Sequence, residues 1–263
     1  MSHMRHLYSS PIFGPVHSRR LGVSLGINLL PAQAKICSFD CIYCECGFNA
    51  DTRSPSVPPL FPTREAVSAA LEAQLRRMQG EGVCPDVLTF AGNGEPTLHP
   101  QFPAIVDDVL ALRDDYAPRA KVSVLSNATQ ILHDDVFQAL RRVDNNILKL
   151  DTVDATFIRR VDRPLSPRYD VAQLVERMAQ FGNRCIVQTM FLQGTHEGRS
   201  VSNLGEAYVG PWLQALARIR PSQVMVYTID RETPSPLLAK ATLAQMDAIA
   251  ERVRALGIPC SVA

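Results

Sequence analysis

The chain has 263 residues, with 27 Lys and Arg against 26 Asp and Glu and a formal charge of +1. That balance excludes a protein that grips nucleic acid by bulk electrostatics. A hydrophobic share of 46% excludes wholesale disorder, and the length suits a single α/β domain.

In chain order, residues 1–20 read as an N-terminal extension with no apolar core of secretory type, residues 1–3 being a cloning remnant before a natural start at Met4. Residues 21–30 predict a strand. Residues 63–79 have helical spacing, with Thr63 as N-cap and Ala66, Ala70 and Leu71 on one stripe. There follow a strand at 86–91, a helix at 102–112, a strand at 121–125, a helix at 134–142 and a strand at 146–150. A helix at 171–181 stops at Gly182 and leads to a strand at 185–192. Beyond it come a helix at 209–219, a strand at 223–229, a helix at 243–256 stopped by Gly257, and a short last strand at 258–262.

Six βα units in succession predict a parallel sheet with helices outside. An open doubly wound sheet and a partial barrel both satisfy the pattern. The run of units without a topological break favours the barrel, a single domain over residues 21–263. The loops at 45–62 and 193–206 are long enough to act as lids. No apolar run reaches the roughly 20 residues needed to span a bilayer. No membrane partner and a cytoplasmic location are therefore expected.

Seven cysteines are present, and Cys37, Cys41, Cys44 and Cys46 fall within ten residues. An odd count in a chain of this size speaks against a secreted disulfide scaffold. The C-x3-C-x2-C spacing lies just after the first strand. Thiolates bind iron–sulfur clusters or zinc, and three of them leave one position open to an exogenous ligand. The alternative is a structural zinc knuckle completed by Cys46 and His17, in a non-catalytic binding protein. Cys84, Cys185 and Cys260 border apolar runs and are expected to be isolated buried thiols.

The string Cys37-Ser38-Phe39-Asp40-Cys41-Ile42-Tyr43-Cys44 resembles the signature of the radical S-adenosylmethionine (radical SAM) superfamily. The resemblance implies a partial (β/α)6 TIM-like barrel. It also implies a 4Fe–4S cluster on Cys37, Cys41 and Cys44, whose open iron chelates the amino and carboxylate groups of S-adenosyl-L-methionine, with Tyr43 over the adenine. The second strand ends in Gly92-Asn93-Gly94-Glu95-Pro96, which resembles the superfamily's Gly-Gly-Glu-Pro motif with Asn93 in place of the first glycine; Glu95 would take the SAM amino group. Read alone, Gly-Asn-Gly is an ordinary turn.

Ser126, Asn127, Lys149 and Asp151 stand at the next two strand ends, where the resemblance gives them the ribose hydroxyls and the methionine carboxylate. Capping of the following helices is the competing role for Asn127 and Asp151. Gln188, polar within an apolar strand, either faces the lumen or pairs with backbone. Tyr227 ends the sixth strand, near the expected adenine site. His17, Arg19 and Arg20 could approach the barrel mouth. Arg159, Arg160, Arg163 and Arg168 form either a solvated face or an anion site on the substrate.

Stretches 13–22, 92–100, 159–164 and 227–234 resemble the wyosine-synthase-related group. Those enzymes carry a second cluster on cysteines upstream of the signature, and this chain has no cysteine before Cys37. The resemblance implies reductive cleavage of SAM to methionine and a 5′-deoxyadenosyl radical, with hydrogen abstraction from a small molecule or modified nucleotide. A flavodoxin or ferredoxin would supply the electron. The alternative partner is a protein glycine, in a glycyl-radical-enzyme activase. A monomer or dimer is expected.

Overall fold

The structure, a computed structural model, describes residues 6–18, 22–49 and 60–263. Strand β1 (Ile12–Ser18) folds back antiparallel on β2 (Gly22–Ile27). Then come α1 (Arg64–Gly80), β3 (Val87–Phe90), α2 (Phe102–Tyr116), β4 (Lys121–Ser126), α3 (Asp134–Leu140), β5 (Asn145–Lys149), α4 (Ala155–Val161) and α5 (Val171–Ala179). The second half runs through β6 (Ile186–Met190), β7 (Leu192–His196), β8 (Arg199–Ser200), α6 (Glu206–Ile219), β9 (Gln223–Tyr227), β10 (Leu238–Lys240), α7 (Leu243–Arg254) and β11 (Cys260–Val262).

The main sheet has the order β1-β2-β3-β4-β5-β6-β9-β11, and every pairing from β2 onward is parallel. This is the α/β architecture expected from the alternation. Side chains alternate across each strand. Leu25, Phe90, Val124, Leu148, Val187 and Val226 point outward into the core shared with the helices. On the other face, Ile147, Ile186 and Met225, with Leu125, form a small apolar layer inside the curved sheet.

Caps fix where the helices begin. The Thr63 hydroxyl accepts from the Ala66 N–H at 3.2 Å, and the Asp154 and Asp170 carboxylates accept from the first turns of α4 and α5. Thr242 and Gln245 form a reciprocal capping box on α7.

Several expectations are corrected. The buried stripe of α1 is Val67, Leu71, Leu75 and Met78, while Ala66 is exposed. Leu71 lies on the buried stripe as expected, Ala70 is half-buried, and Val67 rather than Ala66 takes the inward position in the first turn, because larger side chains win those positions. Helix α4 is additional to the helices expected from spacing, since seven residues carry too little periodicity. The strand expected to run through residue 192 breaks at Phe191. Its continuation, β7, joins a separate antiparallel sheet in the order β10-β7-β8. The expected loop at 193–206 is therefore largely a pinned hairpin. Cys84 is exposed, whereas Cys185 is buried and Cys260 half-buried. Part of the 45–62 loop, residues 1–3, Arg19, Arg20 and the side chain of His17 lie outside the described residues. The His17 backbone pairs with Val23 at the start of β2, the end of the sheet opposite the mouth.

Candidate functional site

The C-terminal ends of the parallel strands converge on the cysteine loop, the usual place for a site in such sheets. The loop between Lys35 and Asn49 has little regular structure of its own and is held from outside. Ile36 N–H donates to the Asn93 carbonyl at 2.9 Å, and Glu95 N–H donates to the Ile36 carbonyl at 3.1 Å. Asp40 N–H reaches the Asp162 and Arg163 carbonyls, and Ile42 N–H reaches Val161. Asn49 braces the loop internally: its side chain donates to the Cys37 and Phe39 carbonyls and accepts from the Cys37 N–H at 2.8 Å.

Two glycines permit this closeness. Gly94 has φ +134°, and a Cβ there would stand 1.8 Å from the Ile36 carbonyl oxygen. Gly92 has φ +135°, and its Cβ would meet the Asn28 side chain. The Asn93 side chain is used within the protein: it accepts from the Tyr8 N–H at 2.8 Å and donates to the Tyr8 and Pro31 carbonyls. Asn93 therefore braces the segment from behind with its side-chain donors committed.

Glu95 is buried, at 1% exposure. One carboxylate oxygen accepts from the Thr97 N–H and hydroxyl and from the Ser126 hydroxyl at 2.8 Å. The other accepts from the Asn127 N–H at 2.6 Å. Burial raises its pKa, and these donors oppose the rise. Asn127 in turn points its amide nitrogen at Cys37 Sγ (3.3 Å) and Ser38 Oγ (2.9 Å). Its amide oxygen closes a turn on Thr129. The capping role fails for Asn127, because no helix begins until Asp134. It fails for Asp151 too, because Asp154 caps α4.

Lys35 is buried at 2% exposure, donating to the Gly47 carbonyl and lying 3.6 Å from Asp40. Burial alone would lower its pKa, but the sulfurs of Cys44, Cys41 and Cys37 outweigh it and raise it. All three signature cysteines thus lie within the field of one ammonium. Burial pushes Cys37 up to about 12 and raises Cys41 as well. Cys44 is lowered to about 6 by a hydrogen bond from Cys46, with Lys35 assisting against burial.

Among the described residues no three His, Cys, Asp or Glu side chains converge as a single metal ion requires. A four-ligand zinc centre needs that convergence, whereas a cluster takes each thiolate on a different iron. Three soft donors on one loop, two of them (Cys37 and Cys41) disfavoured as buried thiolates until a cation sits among them, fit an iron–sulfur cluster.

Above the apolar layer, two residues further along the same strand faces, stand Lys149, Gln188 and Tyr227. The Gln188 carbonyl accepts from the Leu150 N–H at 3.0 Å, while its half-buried side chain has no hydrogen-bond partner among the described residues and lies on the same face as Lys149. Lys149 bonds Asp151 and the Tyr43 hydroxyl and reaches Asp162 at 2.9 Å. Tyr43 also donates to Asp151 and lies 3.2 Å from Asp162. Asp151 accepts from the Met190 N–H at 2.9 Å. Asp162 is 3.9 Å from Cys41 Sγ, and burial raises its pKa to about 7 against the pull of Lys149.

This buried network of one lysine, two carboxylates and a tyrosine joins Tyr43, Lys149 and Asp151, which the sequence singled out separately. It adds Asp162, whose signal was a lone acid inside an arginine run. Lys35 and Asn49 were also missed; Lys35 was visible as a charge just before the first signature cysteine.

Comparison with known proteins shows the family and the fold. The family description "Radical SAM superfamily" matches residues 34–199, more than half of the chain. A UPF0026 protein of Helicobacter pylori is 29% identical over 84% of this chain; the chain spans 66% of that relative's length. A crystal structure of a radical SAM methyltransferase from Sphaerobacter thermophilus superposes with a TM-score of 0.66 at 16% identity, over 91% of this chain and 65% of that one. A structure of TYW1 with a lysine–pyruvate adduct gives 0.57 at 13% identity, over 88% and 73%. At these identities the two structures speak for the fold alone.

Proposed function

The chain belongs to the radical SAM superfamily and is an enzyme of it, and from that premise we propose that it holds a 4Fe–4S cluster on Cys37, Cys41 and Cys44 and binds SAM beside it. The observation that carries this is the position of Asn127. It contacts Cys37 Sγ through its side chain and Glu95 through its backbone, so a cluster ligand and the carboxylate for the SAM ammonium are held by one residue. Membership implies an iron–sulfur cluster, SAM, a reductant and a substrate.

Glu95 presents a carboxylate whose second oxygen accepts from one donor, the Asn127 N–H, which leaves lone-pair capacity for an ammonium. Its three neighbours on the inner oxygen fix its rotamer before SAM arrives. Gly92 and Gly94 keep side chains out of the way, so the backbone can approach the cofactor closely. Gln188 and Tyr227 line the lumen above an apolar layer that excludes water below the site. Tyr43 is tied to Asp151 and Lys149, which fixes its ring at the lumen edge. Bound there, cluster and SAM supply a 5′-deoxyadenosyl radical for hydrogen abstraction from a small molecule or modified nucleotide.

The test is anaerobic. The protein is reconstituted with iron and sulfide, both are counted, dithionite and SAM are added, and 5′-deoxyadenosine is assayed. About four irons per chain with 5′-deoxyadenosine formed is the expected result. Zinc in place of iron and no SAM cleavage would overturn the proposal.

A further inference from the structure

Between α4 and α5 the chain leaves a cavity open to the surface, of about 400 Å³, lined by the exposed Arg159, Ser166, Arg168 and Asp170 and the half-buried Tyr169. Of the four arginines in this run, two are spoken for. Arg163 lies 3.5 Å from Asp40 and over the Phe48 ring, and Arg160 donates to the Ser200 carbonyl. Arg159 and Arg168 both line the cavity, and neither guanidinium has an acidic partner among the described residues. The one acid in the wall, Asp170, turns its carboxylate to the Ala172 and Gln173 N–H groups of α5.

The cavity is built by the chain itself. Pro164 and Pro167 stiffen the segment, and Ser166 ties it into a turn through its hydroxyl to the Arg168 N–H and its carbonyl to the Tyr169 N–H. The segment is also fused to the cysteine loop: Phe39 bridges to Pro164, and Leu165 N–H donates to the Ser38 carbonyl at 2.9 Å. Tyr169 separates the two, its ring 5.3 Å from Phe39, which lies between Cys37 and Cys41 in sequence.

We propose that this cavity is a phosphate site, taking the phosphate group of a small phosphate ester at the rim of the barrel. Two unpaired guanidiniums match the charge of about −2 on a phosphate monoester, where a carboxylate would need only one. Each guanidinium can donate two parallel bonds to oxyanion oxygens. The Ser166 hydroxyl keeps a free donor, and the face of Tyr169 supplies an apolar wall for the esterified group. The volume suits a molecule of nucleotide size. That the ester is the enzyme's substrate rests on the radical SAM reading; the binding itself does not.

The experiment is calorimetric titration of the reconstituted protein with inorganic phosphate and with 5′-AMP, at low and at physiological salt. The variants Arg159→Gln, Arg168→Gln and the double substitution are compared with the wild type. Saturable binding is expected, tighter for 5′-AMP and weaker at higher salt. Each single variant should lose roughly tenfold in affinity, and the double variant more, with unchanged melting temperature and iron content. Unchanged affinity in the double variant, or no saturable binding in the wild type, overturns the site. Binding of inorganic phosphate without 5′-AMP overturns the ester assignment. Iron content and SAM cleavage are read separately, so a failure of the cluster reading is distinct from a failure here.

Discussion

Replacing Gly94 by alanine isolates what the close approach of two loops is worth. The added Cβ would sit 1.8 Å from the Ile36 carbonyl oxygen, with φ at +134°. Backbone, not a flexible side chain, must retreat, by more than about 1 Å before ordinary contact returns. That movement breaks the bonds from Ile36 N–H to Asn93 and from Glu95 N–H to Ile36. Two net hydrogen bonds at about 1 kcal/mol each and backbone strain of about 1–3 kcal/mol give a loss of about 3–5 kcal/mol. Gly182→Ala is the control: φ is +54° and nothing lies within 4 Å of its Cβ, so only about 1–2 kcal/mol is at risk. Urea unfolding of both variants measures the difference, and iron content after reconstitution reports the loop. Equal stabilities for the two, or a Gly94→Ala protein with wild-type iron, would refute the reasoning.

Lys149→Met should leave Asp151 and Asp162 buried without their cation and cost about 3–5 kcal/mol in urea unfolding; Asp162→Asn in the same background should recover part of it. His99 accepts from the Gln101 N–H on Nδ1, leaving Nε2 to donate to the Pro62 carbonyl, and burial lowers its pKa. A depressed histidine binds fewer protons folded than unfolded, so its contribution is present above its ordinary pKa near 6.5 and is lost as pH falls below it. His99→Gln should flatten the stability profile between pH 7 and 5; a profile unchanged by the substitution would count against it. Cys46→Ala should keep its iron, because Cys46, 3.5 Å from the Gly92 carbonyl, is a hydrogen-bonding neighbour of Cys44 and not one of the three proposed ligands, whereas Cys41→Ala should lose it. Glu95→Ala should weaken SAM binding roughly tenfold or more in equilibrium titration, as removal of a charged acceptor implies; wild-type affinity would sink the role given to Glu95.

The parallel sheet was legible because six apolar runs and their capped helices follow one another with little interruption. The cysteines and the Gly92–Pro96 segment were legible because their spacing is specific. What stayed hidden depends on contacts between distant segments. Nothing local to Asp162 says that it faces Cys41, 121 residues away. The hairpin at 192–200 is short, and its pairing with β10 is set far along the chain. The competing roles of Asn127 and Asp151 could be separated only by geometry, since a residue preceding a helix and a residue facing a lumen look alike in sequence.

The cysteine loop is clasped by pieces of chain translated long after it. Its backbone contacts include those from residues 93–95, from 161–165, and from Ser235, whose N–H donates to the Ile42 carbonyl at 3.1 Å. Each contact closes a long stretch of chain, and such closures form late. A nascent polypeptide that has exposed only its first hundred residues has the clasp from residues 93–95 but lacks those from residues 161–165 and from Ser235. A cluster held on this loop is therefore expected to be loaded after the last clasp has closed.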